Sequence, residues 1–346
     1  MTMTWIVGFT RNGCELAMKI SNTMKENECR VYRRMSSDVA GTEEITGPMT
    51  DWIEQAFEKC DSLIFIGATG IAVRYIAPHL KSKTTDPAVI CIDEKGRFAI
   101  PLVSGHVGGA NDLAIKVSRF IGSTAVITTA TDINEKFSVD SYAVKHGMEI
   151  VDVSMVKSVS SNILAGRSVG ISSEFPLTNI PPELIPCNEG DVGIFVSCGT
   201  KNGPFSNTLK LIPKCHVLGI GCRKGVSEEK IEKFVMDTLE KNDISPKSLR
   251  AIASIDLKKD EKGLLEFGKK NNLPCVFFTS DELSALPDKG YSESEFVRSI
   301  TGVDNVCERS AVTASKNGTI ILKKTANDGI TMSIVQDNIS FDLGDT

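Results

Sequence analysis

The chain has 346 residues, 41% hydrophobic and 24% charged, with a mean hydropathy of -0.03; this excludes disordered and fibrous classes and suggests two or three domains at ~150 residues each. The net charge of -5 is spread evenly, with no basic half, which argues against nucleic acid as a main partner. The longest stretch without a charged residue, 98–111, spans 14 residues and contains Pro101, so it is too short and too broken for a membrane span of ~20 apolar residues. The N-terminus lacks a basic-then-apolar signal pattern, and a cytoplasmic location is expected.

Short apolar runs alternate with amphipathic stretches, the pattern of an α/β protein with largely parallel sheets. Trp5–Phe9 reads as a strand, 12–27 as a helix and Cys29–Tyr32 as a second strand. Pro48 opens a helix to Phe57, ahead of a strand at Leu63–Ile66. Ala88–Ile92 and Phe98–Val103 are strands joined by the turn 93–97. Asn111 or Asp112 is placed to cap a helix over Leu113–Ile121, and Thr124–Thr128 reads as the next strand.

Composition shifts near 150, where prolines rise and charge falls until 213. The reading is therefore three parts: 1–149, a small middle α/β domain or linker lobe at 150–213, and 214–346. In the middle part Ser154 is placed to cap a helix to Leu164, with strands at Val169–Ser172 and Val192–Ser197. The last part begins with the strand His216–Gly221 and a helix over Ser227–Glu240 whose buried stripe is Ile231, Phe234, Val235, Thr238 and Leu239. Helix starts follow at Ser245-Pro246 and at Ser292–Glu295, the latter read as a capping box. Leu273–Phe278 is a strand, Thr319–Val335 a hairpin about Asn327-Asp-Gly329, and the end from Asp342 is expected to fray.

Ligands of open α/β sheets bind beyond the carboxyl ends of strands, which directs attention to the loops after apolar runs. The richest is Ser104-Gly-His-Val-Gly-Gly-Ala-Asn111, where Gly105, Gly108 and Gly109 permit close backbone approach and His106 is a candidate acid or base. Spacing alone balances that role against a histidine that merely packs in a tight turn. Asp132 ends a run containing Thr129 and Thr131 and is the second catalytic candidate; Asp140 reads as structural. Gly70 and Arg74 form a carboxylate-recognition candidate, with Lys81 and Lys83 nearby in sequence. Gly219-x-Gly221-x-x-x-Gly225 is one residue too long for a dinucleotide fingerprint and lacks P-loop order, leaving Gly221, Arg223 and Lys224 as an anion seat. Ten cysteines without a C-x-x-C pair, four histidines and no H-E-x-x-H lead us to expect buried reduced thiols and no metal site.

Taken together, Gly70-Ile-Ala-Val-Arg74, Ile100-Pro-Leu-Val-Ser-Gly-His-Val-Gly-Gly-Ala-Asn111 and Ile127-Thr-Thr-Ala-Thr-Asp132 resemble the N-terminal region of the cobalt-precorrin-5A hydrolases, the CbiG family of anaerobic cobalamin (vitamin B12) biosynthesis. Leu218-Gly-Ile-Gly-Cys-Arg-Lys-Gly225, the run Leu249–Asp256 and Cys307-Glu-Arg-Ser-Ala311 resemble the family's C-terminal domain, itself similar to CobE. The resemblance implies a small-molecule substrate, a cobalt-bearing tetrapyrrole whose ring A δ-lactone is opened and whose two-carbon fragment leaves as acetaldehyde. It implies no protein-bound cofactor, since the cobalt travels with the substrate, and transient contact with neighbouring pathway enzymes. Two other readings carry different signs: a corrinoid escort protein would bind without releasing acetaldehyde, and a nicotinamide oxidoreductase would bind NAD(P)H.

Overall fold

The computed structural model describes residues 2–344 apart from 37, 83, 84, 107, 135, 288 and 289, with backbone alone at 132 and 296. The chain divides into two compact units, Met1–Ser141 and Tyr142–Thr346. It is a mixed α/β protein whose larger sheets are mainly parallel. Among the described residues no helix is long and apolar enough to cross a membrane.

The first unit holds a seven-stranded sheet in the order Glu43–Glu44, Glu28–Arg33, Met3–Gly8, Ser62–Ile66, Ala88–Ile92, Phe98–Val103, Thr124–Ala125. Its central strands are apolar throughout because helices cover both faces. Ile6, Ile64, Ile66 and Ile90 pack against Ala17, Ile20, Ala114 and Val117 of the helices Arg11–Thr23 and Ala110–Ile121. The alternate residues Trp5, Val7, Leu63, Phe65 and Val89 face the other way, against Trp52, Ile53, Ala72 and Ile76 of Met49–Lys59 and Thr69–Ile76.

One strand departs from the parallel frame. Phe98–Val103 pairs antiparallel with Ala88–Ile92, as its short connecting turn demands, and Thr124–Ala125 then pairs parallel to it. The strand read as Thr124–Thr128 stops early. Val126 N–H still reaches Ala99 carbonyl, but the next bond of a parallel ladder needs an N–H at Pro101, which has none.

The second unit contains two five-stranded sheets. In the first the order is Leu184–Pro186, Val169–Ser173, Val192–Val196, Asn207–Pro213, Met148–Ile150, parallel except for the last pair. The second runs Cys275–Phe278, Leu249–Ile255, His216–Cys222, Ile330–Gln336, Thr319–Asn327, closing on the expected antiparallel hairpin. All five residues of the stripe on Glu228–Lys241 are buried.

Several element ends differ from expectation for local reasons. The helix expected from Leu113 begins at Ala110 behind Gly109, so neither Asn111 nor Asp112 caps it. Ser154 opens rather than caps its helix, and its N–H and hydroxyl donate to the Asp152 carboxylate at 2.9 and 2.6 Å. Ser294, not Ser292, caps Glu295–Thr301; the reciprocal capping box lies instead at Thr279 and Glu282. Asp342 does not fray: Phe341–Asp342 pairs with Leu177–Thr178, and Asn179 Nδ2 donates to Asp342 at 2.9 Å.

The run Cys307–Ala311 lies in the helix Val306–Ala314 and acts as a structural clasp. Glu308 is fully buried, yet its carboxylate accepts from Ser292 N–H and hydroxyl, both at 2.9 Å, and from Lys324 N–H at 2.6 Å. Three donors of this kind compensate the desolvation of the charge. Arg309 pairs with Asp304 at 2.8 Å and lies 4.6 Å from the Tyr291 ring centroid. The helix approaches the sheet most closely at Gly219, where any Cβ would collide with the Cys307 carbonyl.

Gly219→Ala is accordingly expected to lower stability by about 3 kcal/mol or more, because backbone atoms offer no relief, and the urea midpoint measures it. The Asp304 carboxyl is held below its ordinary value of 3.8, chiefly by hydrogen bonds from Arg309 and then by Arg298. A depressed folded value supplies stability above 3.8 that disappears as the pH falls through the folded value. Arg309→Gln is therefore expected to reduce stability at pH 7 and to flatten its acid loss below 3.8, as read from denaturation midpoints across pH.

Candidate functional site

The reversed strand Phe98–Val103 sends the loop 104–109 to the edge of the sheet where Ala88–Ile92 begins. Ser104 holds a left-handed φ of 57°, and its hydroxyl donates to the Asp86 carbonyl at 3.1 Å. A non-glycine residue in that region is strained and needs its surroundings to hold it. The loop supplies this from within: the N–H groups of Gly109, Ala110 and Asn111 donate to the carbonyls of His106, Ser104 and Gly105 at 2.9, 3.0 and 3.0 Å. Gly108 folds so closely over Ser104 that an added Cβ would meet the serine Cβ.

The coil thus formed presents His106 to the segment 129–141. His106 Nδ1 lies 3.4 Å from Asp140 Oδ1 and 3.3 Å from Ser138 Oγ, while Nε2 lies 3.3 Å from Thr131 Oγ1. Ser138 Oγ also bridges to Asp140 at 2.9 Å. The two side chains are 12% and 7% exposed, so their interaction is little screened by water. Asp140 stands in the first turn of Val139–Lys145, where the helix dipole favours a carboxylate. Asn111, released from capping, donates through Nδ2 to Thr129 Oγ1 at 2.9 Å and joins the two loops. His106 Nδ1 thus faces the Asp140 carboxylate and Nε2 faces the Thr131 hydroxyl, an arrangement in which a carboxylate–histidine pair can take up and return a proton.

The structure therefore brings together Ser104, Gly105, His106, Gly108, Gly109, Asn111, Thr129 and Thr131. The side chain of Asp132 and all of Lys83 lie outside the described residues. Asp140, read from sequence as structural, is the carboxylate that faces His106. Its signal was weak because 33 intervening residues separate the pair and no helical or strand period connects them. Backbone amides 109–111 are consumed inside the loop, so a backbone contribution to substrate would come from earlier in it.

Gly70 and Arg74 do not join this cluster. Gly70 begins beyond Ile66, at the sheet edge opposite Ser104, because Ser62–Ile66 and Phe98–Val103 run in opposite directions; Arg74 is exposed on the helix Thr69–Ile76 that starts there. Lys81 sits on the returning segment, its N–H bonded to the Asp86 carboxylate at 3.0 Å. Gly221 and Arg223 belong to the second unit. Gly221 lies within a strand beside Thr331, and Arg223 packs along Gly329 at the hairpin turn. The Gly225 N–H donates to Glu261 at 3.0 Å, so a carboxylate of this chain already occupies the proposed anion seat. The cleft of about 700 Å³ around Lys224 is also lined by Glu228, Glu229, Asp260, Glu261 and Glu266, an unfavourable field for an anionic ligand.

Residues 51–132 match the family described as Cobalamin synthesis G N-terminal, and residues 216–335 match Cobalamin synthesis G C-terminus. The chain is 34% identical to the cobalt-precorrin-5A hydrolase of Salmonella typhimurium over 83% of its own length and 85% of that protein's. It is 29% identical to the cobalt-precorrin-5A hydrolase of Priestia megaterium, over 95% and 93% of the two chains. A crystal structure of a cobalamin biosynthesis protein G homologue from Sulfolobus solfataricus aligns over 97% of both chains at 23% identity, with a TM-score of 0.43. With both regions matched and a third of residues shared with the Salmonella enzyme across most of either protein, the chain belongs to the cobalamin synthesis G family, that of the cobalt-precorrin-5A hydrolases.

Proposed function

We propose that this chain opens the ring A δ-lactone of cobalt-precorrin-5A and releases the two-carbon fragment as acetaldehyde, with His106 as general base and Asp140 as its positioning residue. The observation that carries this reading is the His106–Asp140 pair at 3.4 Å, on a self-bonded loop whose residues match the family's N-terminal region.

Lactone hydrolysis requires a water to lose a proton as it attacks the carbonyl. His106 Nε2 accepts that proton, and the Asp140 carboxylate stabilises the imidazolium through Nδ1–H. Thr131 Oγ1, 3.3 Å from Nε2, marks where a hydroxyl already sits beside the base and helps to place the water. The ring-opened alkoxide takes a proton from the imidazolium and becomes an alcohol. In the second step the same nitrogen removes the alcohol proton, the carbon–carbon bond breaks, acetaldehyde departs and the electron pair passes into the conjugated macrocycle. The electronic demand falls on the substrate and the cobalt it carries, while the protein binds and moves protons. Ten free thiols fit a reducing compartment, in keeping with a cytoplasmic enzyme.

Purified protein given cobalt-precorrin-5A is expected to release one acetaldehyde per lactone lost; tight binding with no acetaldehyde would replace this reading by the escort role. His106→Asn is expected to lower kcat by about 10²–10⁴-fold. Asp140→Asn should lower kcat by roughly 10²-fold with little change in KM and should shift the pH profile, because it alters the ring's tautomer and basicity rather than its position. Unaltered turnover in both variants would remove the assigned roles while leaving the overall reaction standing. Gly108→Ala is expected to cut kcat and also to lower the urea midpoint, since its Cβ would meet both the Cβ and the carbonyl of buried Ser104.

A further inference from the structure

We propose that Cys198, Cys215 and His216 form a binding site for a thiophilic divalent cation of the zinc class. Cys198 lies just beyond the strand Val192–Val196, Cys215 lies between Asn207–Pro213 and His216–Cys222, and His216 opens the latter strand. All three are buried, one donor atom from each lies within 4.8 Å of the others, and the two sulfurs are 3.4 Å apart. Two thiolates on a tetrahedral zinc, each bonded at about 2.3 Å, stand roughly 3.8 Å apart, so the pair needs to open by only a few tenths of an ångström.

The imidazole is oriented as a ligand would be. Its Nε2 lies 3.2 Å from Gln336 Oε1, an acceptor for the ring N–H, which leaves Nδ1 as the donor atom. Metal-bound histidines are commonly held through their second nitrogen in this way. The Ser248 hydroxyl lies 2.8 Å from Nδ1. The hydroxyl proton lies between Nδ1 and the Ser245 carbonyl, 2.5 Å away, and metal binding at Nδ1 leaves it to the carbonyl; with three protein ligands the fourth position goes to water. Two sulfur ligands select a thiophilic cation over magnesium or calcium, which prefer oxygen. On binding, two S–H bonds break, two sulfur–metal bonds form, two protons pass to solvent and no electron is transferred.

The site ties the end of a strand in one five-stranded sheet to the first strand of the next, which makes it a staple within the second unit. It contains none of the residues of the His106 cluster, so its fate is independent of the proposed reaction.

The test uses the full chain, stripped with a chelator and titrated separately with Zn²⁺ alone and with Co²⁺ alone. The expected result is one equivalent of Zn²⁺ with two protons released, a thiolate-to-cobalt charge-transfer band, and a urea midpoint that rises with Zn²⁺. Cys198→Ser and Cys215→Ser should each weaken Zn²⁺ binding by about 10²-fold or more and diminish the band, whereas Cys29→Ser, which is not among the three ligands, should change neither. Should the serine variants fail to fold, the Co²⁺ spectrum of the unmodified chain decides the matter. Absence of the band, absence of stoichiometric Zn²⁺, or two thiols missing from the denatured chain until a reductant is added would overturn the proposal, the last by showing a disulfide.

Discussion

The antiparallel pairing of Phe98–Val103 with Ala88–Ile92 is the constraint on which the first unit's chemistry depends. A short turn cannot return a strand parallel to its predecessor, so the chain must reverse. That reversal carries the loop after Val103 to the edge where Ala88–Ile92 starts, away from the loops that follow the other central strands. Pro101 then ends pairing with Thr124–Ala125 by withholding an N–H, and the freed chain turns into the helical segment that brings Thr131 and Asp140 to His106. The His106 cluster thus follows from the direction of one strand and the chemistry of one imino acid.

The second unit spends its conspicuous residues differently. Glu308 and Arg309 belong to a run that resembles the family's C-terminal domain, and their partners are Ser292, Lys324, Asp304 and Tyr291. Gly219 exists for a close helix approach, and the Gly225 amide is held by Glu261. Resemblance to a family marks such positions without distinguishing a residue that touches substrate from one that holds the sheet. Burial and partner identity make the distinction. A fully buried carboxylate with three internal donors serves the fold, whereas a largely buried histidine paired with a carboxylate on a strained loop is a functional-site candidate.

Periodic features were legible in advance. The stripe on Glu228–Lys241, the strands Ala88–Ile92 and Phe98–Val103 and the hairpin about Asn327–Gly329 match expectation closely, because each rests on neighbours within a few residues. Helix starts were less legible. Asn111 and Ser154 both suit caps by residue type, yet the Leu113 and Val156 N–H groups that they would cap are already held by the Gly109 and Val153 carbonyls. Competition among donors and acceptors decides a cap, and the competitors need not be adjacent.

The sequence by itself determined the α/β class, the buried face of each long helix and the glycine-rich loop that carries His106, since these follow from periodicity, turn chemistry and the run Ser104–Asn111. Only the tertiary structure decided that Asp140 faces His106, that Gly70 and Arg74 start from the opposite edge of the sheet, and that Cys198, Cys215 and His216 converge. Those outcomes depend on strand direction and on contacts between residues far apart in the chain, which local spacing does not encode.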